Sequence, residues 1–215
     1  MKPSRTLYSV LLVLAVAILP ASVFSEESPA PITIGSKAFT ESVILGEMLR
    51  QLAVHTGAEA VHQRQLGGTR VLWNALLGGD IDAYVEYTGT LSQEILVGRN
   101  LRTETGLRKA LAARGLRMTA ALGFNNTYAI GIKQSLARQL DLHNVSDLKN
   151  HPELVFGFGN EFMDRADGWP GLRRHYQLPQ RNVRGLDHDL AYRGIDAGTL
   201  QVTDVYTTDA EIDYY

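Results

Sequence analysis

The sequence contains no cysteine, no excess of positive charge and, beyond its first residues, no long apolar run. Without cysteine there is no disulfide framework, thiolate metal site, cysteine nucleophile or cysteine-linked lipid anchor. A formal net charge of −2 argues against nucleic-acid binding, which requires a clear basic excess. A content of 45% hydrophobic and 20% charged residues excludes a wholly disordered chain and indicates a folded protein.

The N-terminus has the features of an export signal. A basic flank is followed by an apolar run over residues 7–19 and then by small residues that suit signal-peptidase cleavage. The run is shorter than the ~20 residues that cross a bilayer, which disfavours the alternative of a membrane anchor. We therefore expect a signal peptide over residues 1–25, a linker over 26–31, and a periplasmic protein without a lipid anchor.

From residue 32 onward, β-prone runs alternate with segments of helical spacing. We predict strands at 32–34, 58–66, 81–87, 118–124, 127–132, 154–158 and 201–206, and helices at 40–55, after an N-cap at Thr69, and at 107–116, 135–140, 171–176 and 189–198. This alternation requires crossover connections and predicts an α/β fold with mostly parallel sheets. The Asn125-Asn126 turn divides the prediction into two lobes, 32–124 and 125–206, with a ligand cleft between them.

Three tyrosines lie at the ends of predicted strands, where ligands of α/β proteins gather. Tyr87 and Tyr206 each end a strand, and Tyr128 follows the Asn125-Asn126 turn. Electron-rich rings around a pocket attract a cation that cannot form hydrogen bonds. The alternative is that these tyrosines are half-buried core residues, and spacing alone favours that alternative.

Two cations are candidates for binding an anionic group. Arg165 has a planar guanidinium that can hold a carboxylate through two parallel bonds, and its alternative role is a surface ion pair with Asp164 or Asp167. Lys37 lies in a glycine-centred turn between the first predicted strand and helix. Backbone N–H groups at such helix starts also favour anions, although any one of these turns is more typical of simple chain reversal.

Several segments resemble, in order along residues 31–215, the osmoprotectant-binding proteins of bacterial ABC importers, which capture glycine betaine, choline, carnitine and related quaternary amines. The matching segments are IGSKAFTE (34–41), ILGE (44–47), LGGT (66–69), YTGT (87–90), NNTYA (125–129), DGWPGL (167–172) and YTTD (206–209). The resemblance implies a type II periplasmic binding fold, with two α/β lobes, a hinge and an inter-lobe cleft. It also implies an ABC permease and an ATPase as partners.

The resemblance implies that aromatic side chains box the quaternary ammonium. The matching positions are Tyr87, Tyr128 and Tyr206. In the family a further tyrosine of the box follows the last strand predicted here, and this sequence ends at Tyr215 before that segment. We therefore expect residues 207–215 to begin a return to the first lobe, with the second crossover incomplete.

The resemblance also implies a site for the ligand's carboxylate. In betaine-type members it is held by residues that match Lys37, Thr90 and Arg165. Choline-type members lack this cationic clamp, so the presence of both cations favours a zwitterion such as glycine betaine. We expect no cofactor, no metal ion and no catalytic residue in the site.

An enzyme is the main alternative class, with His188 between two aspartates as a candidate group. No GxSxG, HExxH, GxGxxG or Walker motif is present, and we expect all six histidines to lie at the surface or in loops. We therefore predict a binding protein and not an enzyme. A ligand-sensing module and a fragment without a working site are alternatives that the sequence leaves open.

Overall fold

The two sheets of the molecule come from successive parts of the chain. The structure, a computed structural model, describes residues 30–98, 101 and 103–215. The predicted signal peptide and all but the end of the predicted linker lie outside these residues. Residues 31–215 form one compact unit, and within the described ranges no helix has both the length and the apolar character that a membrane crossing requires.

The first sheet has three parallel strands in the order β2-β1-β3. The strands are β1 (Ile32–Lys37), β2 (Ala60–Gly67) and β3 (Ala83–Tyr84), and the helices of this part are α1 (Thr40–His55), α2 (Thr69–Gly78), α3 (Thr88–Thr90), which runs into a π-helical turn (Leu91–Ile95), and α4 (Glu104–Ala112). Helices α1 and α2 supply the crossovers that parallel neighbours need. The predicted bounds of α1 are confirmed.

Close packing between β1 and α2 explains why Gly35 lies in the central strand. A Cβ atom at this position would lie 2.7 Å from Leu72 Cδ1 and 2.8 Å from Ile81 Cδ1, inside van der Waals contact. Glycine therefore allows α2 to pack against the sheet. Further along the chain, Trp73 and Leu107 belong to a separate buried cluster that joins α2 to α4.

The second sheet has four strands in the order β4-β7-β5-β6. These are β4 (Tyr128–Ile132), β5 (Phe156–Gly159), β6 (Val183–Leu186) and β7 (Val202–Tyr206), and the helices are α5 (Gln134–Gln139), α6 (Asn160–Asp164), α7 (Trp169–Tyr176) and α8 (His188–Asp196), with 3-10 turns at Val145–Asn150 and Ala210–Asp213. β5 is parallel to β6 and β7, whereas β4 is antiparallel to β7. The α/β class with mostly parallel strands is confirmed.

The core of the second sheet is aromatic. Phe156 and Phe158 on β5 are 0% exposed and pack against each other and against Trp169 of α7. A strand that is buried on both faces carries apolar residues without alternation, which is the pattern of this segment. Phe162 on α6 extends the cluster from β5 toward Tyr128.

Three local predictions are wrong. Residues 118–124 have strand propensity but pair with no strand of the described chain, and a strand without a partner leaves its backbone groups to water. The run 81–87 is paired only over β3, so its end forms a loop. The N-cap of α2 is Gly68, not Thr69, which is the first helical residue. Strand β6, an edge strand without apolar alternation, was not predicted.

Candidate functional site

Two tyrosines meet because of the register of the second sheet. β4 begins at Tyr128, β7 ends at Tyr206, and the antiparallel pairing places these residues directly opposite each other. Their ring centroids are 5.1 Å apart with planes inclined by 53°. Residues that face each other across antiparallel strands have side chains in contact, so the backbone itself fixes this aromatic pair.

The first sheet contributes two more rings to the same cluster. Phe39, which follows β1, lies 4.8 Å from the ring of Tyr206 and 6.3 Å from that of Tyr87. The three predicted tyrosines are thus brought together, and Phe39 joins them. Sequence reasoning missed Phe39 because it considered only tyrosines, although the residue lies inside the motif that also contains Lys37.

The phenol groups of this cluster stay protonated. Burial raises the pKa of Tyr206 and that of Tyr128 above the ordinary value, and burial together with the hydrogen bond to Glu41 raises the pKa of Tyr87. The hydroxyl of Tyr87 donates to Glu41 of α1, whose carboxylate also accepts from the side-chain amide of Asn126 at 2.9 Å. The cluster therefore offers neutral rings, whose faces carry the negative end of the quadrupole.

Lys37 lies at the end of β1 in a buried ion pair. Its ammonium donates to Glu86 Oε1 at 2.7 Å and to the hydroxyl of Thr69 at 2.9 Å, and the Lys37 and Glu86 side chains are 4% and 9% exposed. Nζ also lies 5.6 Å from the centroid of the Tyr87 ring. Glu86, which also accepts from Tyr84, was not predicted from the sequence.

Arg165 follows α6 and forms the predicted ion pair with Asp167, but its side chain is buried, 6% exposed, and not at the surface. Its Nε and Nη2 atoms donate to the two carboxylate oxygens of Asp167 at 3.0 and 2.7 Å. Its Nη1 atom donates to the hydroxyl of Thr90 at 3.1 Å and to Glu94 at 3.3 Å, and the guanidinium lies 5.4 Å from the centroid of the Tyr128 ring. The predicted residues Thr90 and Arg165 are thus in contact, while the bidentate edge of the guanidinium is held by Asp167.

Electrostatic partners stabilise the charged form of the arginine. Burial works to lower the pKa of Arg165, but the hydrogen bonds that it donates to Asp167 and the charges of nearby groups raise it overall. Burial raises the pKa of Glu94, and the charge of Arg165 opposes that shift. The charged groups paired with Lys37 and Arg165 therefore neutralise these two cations in a partly buried setting.

A histidine, His188, packs against the aromatic cluster. The ring of His188 stacks on that of Tyr206 with centroids 4.3 Å apart, and its Nε2 atom lies 2.7 Å from Asp209 Oδ2. The same oxygen accepts from the Tyr192 hydroxyl and from the backbone N–H of Tyr206. The expectation that all histidines lie at the surface or in loops is wrong for His188, whose side chain is 9% exposed at the start of α8, and for His62, whose side chain is 2% exposed in β2.

The charge state of this histidine depends on its neighbours. Burial works to lower the pKa of His188, but the hydrogen bond and charge of Asp209, with the charge of Asp204, raise it overall. Burial also raises the pKa of Asp204. Within the described residues, no cluster of three His, Asp or Glu side chains is arranged to hold a metal ion.

Comparisons with known proteins relate this chain to one family of proteins. A family profile described as "Substrate binding domain of ABC-type glycine betaine transport system" matches residues 30–215. The chain is 32% identical over 208 residues to an "Ergothioneine transport permease/ergothioneine binding protein" of Helicobacter pylori, covering 94% of this chain and 37% of that protein.

Two further matches agree. A "Carnitine transport binding protein" of Listeria monocytogenes is 29% identical over 220 residues, which cover 94% of this chain and 71% of that protein. The crystal structure of a "glycine betaine/carnitine/choline ABC transporter" superposes with a TM-score of 0.59 at 27% identity, over 86% of this chain and 71% of that one.

Proposed function

Because the chain belongs to the family of substrate-binding domains of ABC-type glycine betaine transport systems, we propose that it captures a quaternary-ammonium solute for import by an ABC transporter. The relatives are binding proteins of transport systems and not enzymes. The chain spans 37% of the length of the Helicobacter relative, so its ligand and its partners are inferred from its own site.

The observation that carries this proposal is the aromatic cluster. Four rings from both sheets, Phe39, Tyr87, Tyr128 and Tyr206, lie in one connected set. A quaternary ammonium has no N–H to donate, so ring faces are the groups that recognise it, with ~1–2 kcal/mol from each desolvated face. The rings touch each other in the structure, so the ligand enters as the two parts of the chain separate by a hinge motion and then close around it.

The second end of the ligand meets the charged groups beside the cluster. Arg165, which donates to Thr90, adjoins the Tyr128 ring, and Lys37 adjoins the Tyr87 ring. These three residues are the donors that we assign to the carboxylate of a glycine betaine-like zwitterion. The loaded protein then delivers the solute outside the cytoplasm to a permease with its ATPase, which is the arrangement that membership of the transport family supports.

Calorimetric titration of the purified chain with glycine betaine tests the proposal. We expect saturable heat and a higher melting temperature in the presence of the ligand, because a ligand that binds only the folded state stabilises it. Glycine, which lacks the three methyl groups, is the matched control and should produce neither effect. No heat and no change in melting temperature with glycine betaine, choline or carnitine would contradict the proposed function.

A further inference from the structure

Glu161 lies at the point where the two parts of the chain meet. It belongs to α6, which follows β5 of the second sheet, and its Oε1 atom accepts from the backbone N–H of Thr69 at the start of α2. Gly68 makes this approach possible, because a Cβ atom there would lie 2.7 Å from Glu161 Oε1. A carboxylate of one part of the chain thus caps a ten-residue helix of the other part.

The start of α2 is electropositive for two reasons. The first N–H groups of a helix have no partner within the helix and carry the positive end of its dipole. Gly68, at the N-cap, has no side chain to accept from them. The ammonium of Lys37 adds a positive charge at the Thr69 hydroxyl. Glu161 therefore occupies an electropositive position to which the carboxylate of a ligand would also be attracted.

Glu161 is one of two carboxylates of the site that form no ion pair in the described part of the chain; the other, Glu41, accepts from Tyr87 and Asn126. Lys37 is paired with Glu86, and Arg165 with Asp167 and Glu94, whereas in the part of the chain that the structure describes no Lys, Arg or His side chain lies within ion-pair distance of Glu161. Its negative charge is balanced only by the electropositive start of α2 and not by an ion pair.

Glu161 lies close to the rings, because it directly precedes Phe162, whose ring centroid is 5.0 Å from that of Tyr128. Burial is the main reason that the pKa of Tyr206 is raised, and the negative charges of Tyr128, when ionised, and of Glu161 add to it. Burial also raises the pKa of Tyr128, where the charge of Arg165 works downward and that of Glu161 upward. The negative charge of Glu161 therefore lies close to the rings around which we place the ammonium.

Resting on the proposed function, we infer that Glu161 is a specificity-determining residue whose charge weakens the binding of ligands that carry a carboxylate relative to quaternary ammonium ligands that do not, and so works against the cations assigned to that carboxylate. Its charge attracts the ammonium of both kinds of ligand. A ligand carboxylate brought to Lys37, Thr90 or Arg165 also meets repulsion from Glu161, and must compete with the protein carboxylates that already hold those cations.

The test compares the ratio of two dissociation constants, that of glycine betaine to that of choline, in the wild-type chain and in Glu161→Gln. Glutamine keeps the size of the side chain and an oxygen that can accept from the Thr69 N–H, but removes the charge. We expect the ratio to fall by about tenfold, the size of one screened charge–charge interaction within the site. The ratio is the informative quantity because any effect of Glu161 on closure of the two parts acts on both ligands equally and cancels.

The matched control is Glu59→Gln, which removes the same charge from an exposed position outside the site and should leave the ratio unchanged. Glu161→Ala, checked by thermal unfolding, should change the ratio in the same direction as Glu161→Gln. An unchanged ratio in both Glu161 variants, or an equal loss of affinity for both ligands, overturns the inference and makes Glu161 a structural cap only. A wild-type chain that binds neither ligand overturns the proposed function itself.

Discussion

Different interactions hold the aromatic and the charged half of the site in place. The aromatic half consists of Phe39, Tyr87, Tyr128 and Tyr206, and the charged half of Lys37 and Arg165 with their carboxylate partners Glu86, Asp167 and Glu94. Tyr128 and Tyr206 are placed by the backbone register of two paired strands, and their contact follows from the sheet. Lys37 and Arg165 are placed by side-chain contacts, each with a carboxylate at 2.7 Å. The aromatic half should therefore survive the loss of one ring, whereas removal of Glu86 from the charged half leaves the buried Lys37 without a carboxylate partner.

The largest effect is expected from breaking the buried ion pair of the charged half. Glu86→Ala leaves the ammonium of Lys37 buried without its carboxylate, which should cost about 3–5 kcal/mol in the free energy of unfolding. Urea denaturation followed by circular dichroism measures it. The double variant Lys37→Met with Glu86→Gln removes both charges and should recover most of the loss. A single variant as stable as the wild type would show that the pair is not buried in solution.

The aromatic half should respond in affinity more than in stability. Tyr206→Ala removes the ring that contacts Phe39, Tyr128 and His188, and we expect the affinity for choline to fall about thirtyfold, which is ~2 kcal/mol for a desolvated ring face. Tyr206→Phe keeps the face and should bind nearly as well. Tyr214→Ala, an exposed tyrosine outside the cluster, is the control. Equal binding by the Ala and Phe variants would remove Tyr206 from the site.

The contribution of His188, whose ring stacks on that of Tyr206, to the stability of the protein should depend on pH. Because the pKa of His188 is raised in the folded state, the stabilisation by its charged form is fully present below the ordinary value of 6.5 and is lost as the pH rises through the raised pKa. His188→Gln should therefore lower the free energy of unfolding by about 1.5 kcal/mol at pH 6, the worth of a charge-assisted hydrogen bond, and by less at pH 9. A difference between the two proteins that is constant with pH, or that grows toward pH 9, would contradict this assignment.

The smallest effect is expected at the rim of the charged half. Arg70 also contacts Glu94, with Nε 3.3 Å from Oε1, but its side chain is 68% exposed. Arg70→Ala should change the free energy of unfolding by less than ~0.5 kcal/mol, since water and salt screen an exposed pair. The same urea titration measures it. A loss comparable to that of Glu86→Ala would mean that burial does not separate the two kinds of ion pair.

The elements that the sequence predicts well are those with a strong local pattern. Helix α1 has apolar residues at helical spacing and a glycine just past its end, and its bounds match the prediction. Residues 118–124 have a comparable local pattern but no neighbouring strand to pair with, and pairing is a property of the whole fold. The short edge strand β6 has the opposite combination, a weak pattern with a partner in β5.

The residues of the site divide in the same way, into those with a local sequence motif and those without one. The tyrosines, Lys37, Thr90 and Arg165 are recognisable from motifs, and the structure places them around one region, but their roles toward a ligand stay predictions. The carboxylates that neutralise or cap the site were not predicted. Glu161 meets Thr69 from 92 positions away, and no local pattern in the sequence encodes such a contact. The positions of these carboxylates therefore follow from the three-dimensional fold and not from local sequence patterns.

The most direct test of the central claim, that the aromatic half recognises the positive charge of the ligand, compares choline with its uncharged isostere in which carbon replaces the nitrogen. Both molecules have the same shape and the same hydroxyl, so they differ only in charge. Calorimetry on the wild-type chain should show choline binding at least about tenfold more tightly, because the ring faces attract a cation and not a neutral group. Equal affinity for the two molecules would show that the rings act as an apolar surface only, and would contradict the account.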